Sequence, residues 1–347
     1  MITPGRGYDK PVRFGLFITN QHPPGADVVA GQEGQLDTFR FARDAGWDSV
    51  FAGQHYLPEG MAMPQPIPLL ARMAAESDDM AVGLGVMLIA LYNPVDAAEA
   101  VATLDVMTGG RFVFGVGLGY REVEYEAFAV DRGMKVERFT RNLDIATRLL
   151  LGEQVDADLP WCRLDGARLT MTPIQRPRPP IWIAANAHAA VRRAARMSDS
   201  WMINPHATVG TIAEQLEMFR AERVSAGLPP VSELPLIREV FCAPTREEAT
   251  RMAYPYLSKK YRVYADWGQD KALPGNESFK IPVEELEKNR FVLGTPDDCI
   301  AQLRPWRTEL GVDHFLFRSH WSGMPAEMSL ASMKLLDNEV IPALKEA

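Results

Sequence analysis

The clearest pattern of hydrophobic and polar positions lies in residues 82–120, where two apolar runs flank a segment with helical spacing. Residues 82–91 form the first run, and Asn93-Pro94 follows it with a capping side chain and a proline suited to the first helical position. Apolar residues recur at helical spacing over residues 95–107. The second apolar run is Phe112–Val116. A connection of this length predicts two parallel strands joined by a helix.

The same alternation of short apolar runs and helical segments continues along the chain. Eight runs are predicted as strands, at residues 13–18, 49–52, 82–91, 112–116, 181–185, 200–203, 236–241 and 315–317. Residues 161–170 are predicted as a hairpin with its turn at Asp165-Gly166. The pattern predicts an α/β fold, a (β/α)8 TIM barrel that takes residues 1–347 as one domain. The alternative is an open doubly wound sheet, for which Gly115, Gly117 and Gly119 after the fourth run are a weak dinucleotide-binding motif.

One long segment, residues 261–290, follows neither a helical nor a strand period. It is aromatic and charged, with Tyr261, Tyr264, Trp267 and Phe279. A long loop in a compact domain is usually functional or disordered. We therefore predict a lid-like insertion after the seventh strand, over the carboxyl ends of the strands.

Composition and charge narrow the class of protein. The 347 residues carry 37 Lys and Arg against 45 Asp and Glu, a net charge of −8, with no basic cluster for nucleic acid. No apolar run reaches membrane-spanning length, and the first residues lack an apolar signal core. The three cysteines, Cys162, Cys242 and Cys299, are far apart and lack metal-binding spacing. These features predict a soluble cytoplasmic protein without a metal, a membrane or a nucleic acid as partner.

Several polar residues follow predicted strands, where a barrel gathers its site. His55 follows the second strand and suits proton transfer near neutral pH. The alternative is a loop histidine held by hydrogen bonds. Residues 186–188 begin a helix whose free N–H groups suit a phosphate, although a simple N-cap explains them too. Arg318 and His320 follow the last strand and could bind an anion or close the barrel with a salt bridge, and His206 is predicted at the same face.

Residues 93–128 resemble the most characteristic region of the bacterial luciferase-like, flavin-dependent oxidoreductases, and the likeness extends over residues 13–318. The family consists of barrel enzymes that use reduced flavin mononucleotide (FMN) or a deazaflavin. The resemblance implies roles for residues at the carboxyl ends of the strands. The implied catalytic residue is His55; the implied cofactor-binding residues are Ala90, Asn93, Gly117, Tyr120, Asn186, Ala187 and His188; the implied substrate-binding residues are Gln54, Tyr56, Arg318 and His320.

Two positions depart from the luciferase pattern. Many relatives carry Glu-His-His or a similar group where this chain has Gly53-Gln54-His55, and Gln54 cannot shuttle protons. Luciferases carry a Glu-Ser pair where Asn186-Ala187 stand. The resemblance therefore implies that the helix N-terminus binds the phosphate through its backbone, and it does not extend to proton transfer by the residue at position 54.

The resemblance implies a flavin-dependent monooxygenase that uses reduced FMN, supplied by a separate flavin reductase, and dioxygen to oxidise a small organic substrate. Met61, Met63 and Trp267 are candidates for an apolar substrate pocket, or else for packing. A homodimer is expected. Two alternatives stay open: a deazaflavin-dependent enzyme of hydride transfer, and a relative that binds flavin without catalysis.

Overall fold

The computed structural model describes residues 10–274 and 278–346. The strands in this part of the chain are β1 (Arg13–Ile18), β2 (Ser49–Ala52), β3 (Ala81–Leu84), β4 (Phe112–Val116), β5 (Val155–Leu159), β6 (Cys162–Ala167), β7 (Ile181–Ala184), β8 (Ser200–Met202), β9 (Pro235–Cys242), β10 (Phe291–Gly294) and β11 (His314–Arg318).

The α-helices alternate with these strands. They are α1 (Val28–Asp44), α2 (Pro66–Ala74), α3 (Pro94–Met107), α4 (Glu122–Ala127), α5 (Lys135–Leu150), α6 (His188–Met197), α7 (Val209–Ser225), α8 (Arg246–Asp266), α9 (Val283–Glu287), α10 (Pro296–Thr308), α11 (Ala326–Leu335) and α12 (Ile341–Lys345). Short 3₁₀ segments lie at Ile89–Leu91, Arg132–Met134 and Asp270–Ala272, and a π-helical turn at Leu336–Val340 joins the last two helices.

The main sheet has the strand order β10-β9-β11-β1-β2-β3-β4-β7-β8, and its pairs are all parallel. A parallel bridge between Ile203 and Leu236 brings the end of β8 beside β9. Eight strands therefore close on themselves, while β10 pairs with the far half of β9 outside the ring. The predicted TIM barrel is confirmed, and its insertion follows the seventh barrel strand, β9.

The predicted third strand is too long. β3 ends at Leu84, and the following residues cross the end of β4, where Met87 N donates to Gly115 O and Gly117 N donates to Met87 O. Ile89–Leu91 is then a 3₁₀ turn that leads to α3. The predicted N-cap of α3 is present, since Asn93 Oδ1 accepts from Val95 N at 2.9 Å. An apolar run does not distinguish a buried strand from a buried loop.

The predicted hairpin is present but its turn is displaced. Leu159 pairs with Cys162, so the chain reverses at Pro160-Trp161. Gly166 lies within β6, where the register with β5 is irregular, and it has a positive φ of 58°. The Asp-Gly pair therefore marks an irregularity in the strand instead of the turn.

The segment predicted as an insertion is partly regular. Residues 261–266 are the last residues of α8, and α9 and β10 follow the 3₁₀ turn at Asp270–Ala272. The prediction that residues 261–290 have no regular structure is therefore wrong for its first part. Tyr261 and Tyr264 are buried against the barrel, so the aromatic side chains form a contact face. Residues 275–277 of the predicted lid, and residues 1–9, lie outside the described part.

The barrel interior is filled by a separate cluster of side chains: Phe17, Phe51, Val113, Trp182, Met202, Ile237 and Leu316. The rings of Phe51 and Trp182 stack at 5.2 Å between centroids. Gly83 makes room for them, because a Cβ on it would lie 2.1 Å from the Phe51 ring. The interior is thus a packed floor beneath the carboxyl ends of the strands. Among the described residues, no helix has the length and apolar character needed to cross a membrane.

Candidate active site

A cavity of about 410 Å³ opens above this floor, at the carboxyl ends of the barrel strands. Its walls include the apolar side chains of Phe17, Val86, Leu88, Met202 and Ile237. A pocket of this volume, mostly apolar with a few polar groups, is typical of cofactor and substrate sites. Of the predicted site residues, it is lined by Gln54, His55, Gly117, Tyr120, Asn186, Ala187 and Arg318, together with His206.

His55 is held by a carboxylate. Its Nδ1 lies 3.0 Å from Glu124 Oε1, which also accepts hydrogen bonds from Tyr56 N at 2.9 Å and from Arg121 at 3.3 Å. This carboxylate oxygen acts as an acceptor, so the Nδ1 atom of His55 has to carry the imidazole proton and donate it. In the neutral ring, Nε2 is then unprotonated and can accept a proton. The pair therefore has the geometry of a general base oriented by a buried acceptor.

Sequence reasoning missed Glu124. Its side chain is fully buried, which is rare for a glutamate without partners. The sequence offers one local sign, the i,i+3 spacing of Arg121, the N-cap residue of α4, and Glu124 in its first turn. The link from Glu124 to His55 spans 69 residues and is made only when β2 and β4 both pair with β3 in the sheet.

Aromatic rings surround His55. The ring centroids of Tyr120, Tyr264 and Trp267 lie 5.6, 6.3 and 5.2 Å from that of His55. The guanidinium of Arg121 lies 4.2 Å from the centre of the Trp267 ring. Trp267 is the C-cap residue of α8, the helix that follows the seventh barrel strand. Its contact with His55 therefore brings the end of α8 against the loop after the second strand, β2. The imidazole is consequently only 13% exposed.

Gln54 is committed to the protein's own hydrogen bonds. Its Oε1 accepts from Leu88 N at 2.9 Å, and its Nε2 lies 2.6 Å from Tyr92 Oη and 3.1 Å from Gln65 Oε1. Tyr56 Oη lies 2.8 Å from Tyr92 Oη in the same network. Gln54 lines the cavity and Tyr56 does not. Both side chains hold the loops after β2 and β3 together.

The first turn of α6 forms one end of the cavity. Asn186, Ala187 and Ala190 line it, as does Lys135 at the start of α5. Ala187 is the N-cap residue, and no side chain caps the helix. An uncapped N-terminus presents free N–H groups and a partial positive charge, and the ammonium of Lys135 adds a positive charge to the cavity wall. This end suits a phosphate, and the sequence prediction overlooked Lys135.

Glycines let the backbone form part of the wall. A Cβ on Gly117 would lie 2.5 Å from the Val86 side chain, and Gly119 has a positive φ of 81°. Side chains at these positions would push into the cavity or strain the chain. Tyr120 follows, and its buried hydroxyl has no partner among the described residues.

Five predicted site residues do not line the cavity: Tyr56, Ala90, Asn93, His188 and His320. The carbonyl oxygen of Ala90 accepts from Arg138 Nε at 2.9 Å, and Asn93 is an exposed helix cap. His320 Nε2 lies 2.8 Å from Met324 O. Burial lowers the pKa of His320 to about 4, so the ring is neutral near pH 7 and offers an anion no charge. Met63 lines the cavity, whereas Met61 does not.

Arg318 belongs to a buried charged cluster that sequence reasoning only partly anticipated. Glu239 is fully buried and bonds Arg318 at 3.2 Å, Trp321 Nε1 at 2.5 Å and the ammonium of Lys260. Burial acts to raise the pKa of Glu239, but Lys260 and Arg318 hold that pKa below its ordinary value. Burial and Arg318 lower the pKa of Lys260 to about 7. Arg318 and a partly protonated Lys260 thus share one carboxylate beneath the cavity wall.

His206 lies at the same end of the cavity, as predicted. Burial, and then the charges of Lys260, Arg318 and two further arginines, lower its pKa well below the ordinary value. The ring is therefore neutral near pH 7, and its Nδ1 has no partner in the described part of the chain. Across the described residues, no cluster of histidines, cysteines and carboxylates could hold a metal ion.

Comparison with known proteins agrees with this geometry. The family model described as luciferase-like monooxygenase matches residues 12–314. The chain is similar to the oxygenase component of the flavin-dependent trigonelline monooxygenase of Acinetobacter baylyi (22% identity; 97% of this chain and 96% of that one). It is also similar to the F420-dependent glucose-6-phosphate dehydrogenase of Amycolatopsis mediterranei (24% identity; 92% and 98%).

A solved structure shares the fold. The monooxygenase RslO1 of Streptomyces bottropensis superposes with a TM-score of 0.84 at 23% identity, over 95% of this chain and 99% of that one. The relatives thus include both flavin monooxygenases and F420-dependent oxidoreductases. With a family model matched over most of its length, the chain belongs to the luciferase-like monooxygenase family.

Proposed function

We propose that this protein is the oxygenase of a two-component flavin monooxygenase, which uses reduced FMN and dioxygen to oxidise a small organic substrate. The observation that carries the proposal is the pairing of His55 with Glu124 at the wall of a cavity whose far end is an uncapped helix N-terminus. A flavin needs an apolar wall for its ring and an anion site for its phosphate. This cavity offers both.

The residues around the cavity suggest separate roles in binding the phosphate, binding the flavin ring and transferring a proton. The N–H groups at the start of α6 and Lys135 would hold the phosphate, and the backbone at Gly117 and the side chains of Val86 and Leu88 would lie against the ring. Bound reduced flavin would supply the electrons that activate dioxygen. The apolar walls and the aromatic cover around His55 would keep water out. His55 Nε2 would take a proton from the substrate or return one, while Glu124 holds the ring in place.

The cofactor itself is tested by equilibrium dialysis under anaerobic conditions. We expect reduced FMN to bind with a Kd on the order of micromolar or tighter, because the cavity supplies an apolar wall and a phosphate site. Admission of ¹⁸O₂ to the loaded protein with candidate substrates should then transfer labelled oxygen to a product. If the deazaflavin binds and FMN does not, the chain is a hydride-transfer enzyme, as its F420-dependent relatives suggest. Binding of FMN without any product would favour a non-catalytic relative.

The phosphate site is tested by Ala187→Asp. An aspartate at this N-cap would itself accept the free N–H groups of α6 and place a negative charge opposite the phosphate. FMN affinity should fall by about 1–3 kcal/mol, while the thermal midpoint should stay equal or rise. Ala189→Asp is the matched control, since Ala189 is in the same turn and exposed but does not line the cavity. Equal affinities in both variants would place the phosphate elsewhere.

We also propose that the segment after α8 acts as a lid. Gln269, Lys271, Ala272 and Leu273 line the cavity, although Lys271 is exposed on its outer side. Trypsin cleavage after Lys271 should slow by about tenfold when flavin and substrate are both bound, because closure would protect this backbone. Cleavage after Arg163, in the distant exposed hairpin, is the internal control. Equal rates in free and bound protein would make the segment a fixed part of the wall.

Two further expectations concern assembly. A separate flavin reductase would supply the reduced FMN, since the trigonelline monooxygenase relative is described as an oxygenase component. A homodimer stays a prediction. Light scattering at several protein concentrations would measure it.

A further inference from the structure

The cavity has a second polar end, opposite the start of α6. It lies at the ends of β1, β8, β9 and β11, and Phe17, Ile237, His206, Tyr264 and Arg318 line it. In the ring of eight strands, β11 is three positions from β7, which leads into α6. The two ends therefore lie on different sides of the barrel mouth. A flavin whose phosphate binds at the start of α6 would leave this second end of the cavity without a ligand group.

The protein uses only part of the hydrogen-bonding capacity of Arg318. Its Nη1 bonds Glu239, and its guanidinium stacks 4.2 Å from the centre of the Phe17 ring. The Nε atom is buried without a partner, and no hydrogen bond of Nη2 is found among the described residues. The side chain is only 8% exposed. Nε and Nη2 together form the planar edge that binds a carboxylate with two parallel hydrogen bonds.

The charge of the surrounding cluster also favours an anion. Lys260 and Arg318 are both buried and share the single carboxylate of Glu239. Glu239 is the one carboxylate in the described chain whose charge acts on Lys260. Burying a cation without full compensation is costly, and Glu239 is shared by Arg318, Lys260 and Trp321, so an anionic ligand at the free edge of Arg318 would add to the compensation of that guanidinium.

A second donor and two apolar surfaces complete this end. Tyr264 Oη accepts from Gln21 Nε2 at 3.0 Å and so keeps its own proton to donate. Burial raises the pKa of Tyr264, which keeps the hydroxyl protonated. Phe17 and Ile237 are apolar and border the same space. A ligand that fits is apolar in its body and carries a planar anionic group at one end.

We infer that the substrate is an apolar organic acid whose carboxylate binds the free edge of Arg318 and the hydroxyl of Tyr264. The term substrate rests on the proposed function, but the binding site itself does not require flavin. A phosphate ester is the other source of an anion. The planar two-donor edge and the apolar surroundings favour the carboxylate.

The test compares acids with their neutral amides by isothermal titration calorimetry. The probes are benzoate against benzamide and octanoate against octanamide, with inorganic phosphate as a third arm, on flavin-free and FMN-loaded protein. We expect at least one acid to bind the wild-type protein about tenfold or more tightly than its amide. Absence of any such preference in the wild-type protein overturns the inference, whatever the variants do. Binding of phosphate in place of the acids on FMN-loaded protein, in which the flavin occupies the start of α6, overturns it in favour of a phosphate ester.

Variants assign the preference to Arg318. Arg318→Gln should bring the acid and its amide to within about twofold of each other, and Arg318→Lys should lose most of the preference, because an ammonium lacks the planar edge. Arg163→Gln, on the exposed hairpin, is the matched control and should keep the full preference. Tyr264→Phe serves as a second variant if Arg318→Gln fails to fold. It should weaken the acid more than the amide. A preference that persists in folded Arg318→Gln overturns the assignment. Because flavin-free protein is titrated separately, failure of the acid site and failure of FMN binding are distinguishable.

Discussion

Glu239→Gln should lower the free energy of unfolding by about 3–5 kcal/mol, a large share of what a domain has. The carboxylate is fully buried and holds Lys260, Arg318 and Trp321 at once. An amide keeps the shape and loses the charge, so the buried guanidinium of Arg318 would be left without an anion and Lys260 would lose the carboxylate that favours its charged form. Urea unfolding followed by fluorescence and circular dichroism measures the change.

A double variant separates the charge from the packing. Glu239→Gln with Lys260→Met removes one of the two cations and should recover part of the lost stability. Glu76→Gln is a surface control, because Glu76 bonds Arg40 and Arg72 at the periphery of the protein and should cost far less. If Glu239→Gln were as stable as the wild-type protein, the carboxylate of Glu239 would not be needed to hold Arg318 and Lys260 in the folded state.

His55→Ala should lower turnover by about 100-fold or more while FMN affinity changes little. The reason is the position of the ring: Nδ1 is held by Glu124, and Nε2 is left to exchange a proton within the cavity. His55→Gln should be nearly as slow, since an amide keeps a hydrogen bond to Glu124 but transfers no proton. Turnover is measured by product formation under saturating reduced FMN and substrate.

A structural histidine would behave differently. In that case Gln would restore the rate, and Ala would lower the thermal midpoint as it leaves the buried Glu124 oxygen with one donor fewer. Thermal midpoints and turnover measured on both variants therefore distinguish the two roles. Full activity of His55→Gln would leave the bound flavin as the reactive group, with His55 a part of the wall.

The local sequence pattern predicted those features that depend on interactions between residues close together in the chain. Seven of the eight barrel strands were predicted within a few residues because each is a short buried run, while the third was predicted too long at its carboxyl end. The cap at Asn93 was predicted because its side chain bonds Val95 two residues on. His55, Ala187 and Arg318 were predicted in the site because each lies at or within three residues of the carboxyl end of a strand, in a barrel whose strands all point the same way. The extra strand β10 was missed, since it pairs outside the ring.

Other features depended on contacts between residues far apart in the chain, which no local period records. The bond from His55 to Glu124 spans 69 residues, and that from Arg318 to Glu239 spans 79, so only closure of the barrel decided them. The same closure placed Ala90, Asn93 and His320 outside the cavity, because each side chain or carbonyl is turned to a partner of its own. The sequence by itself determined the fold and the end of the barrel that carries the site. Tertiary packing decided which polar groups are satisfied within the protein and which remain free for a ligand.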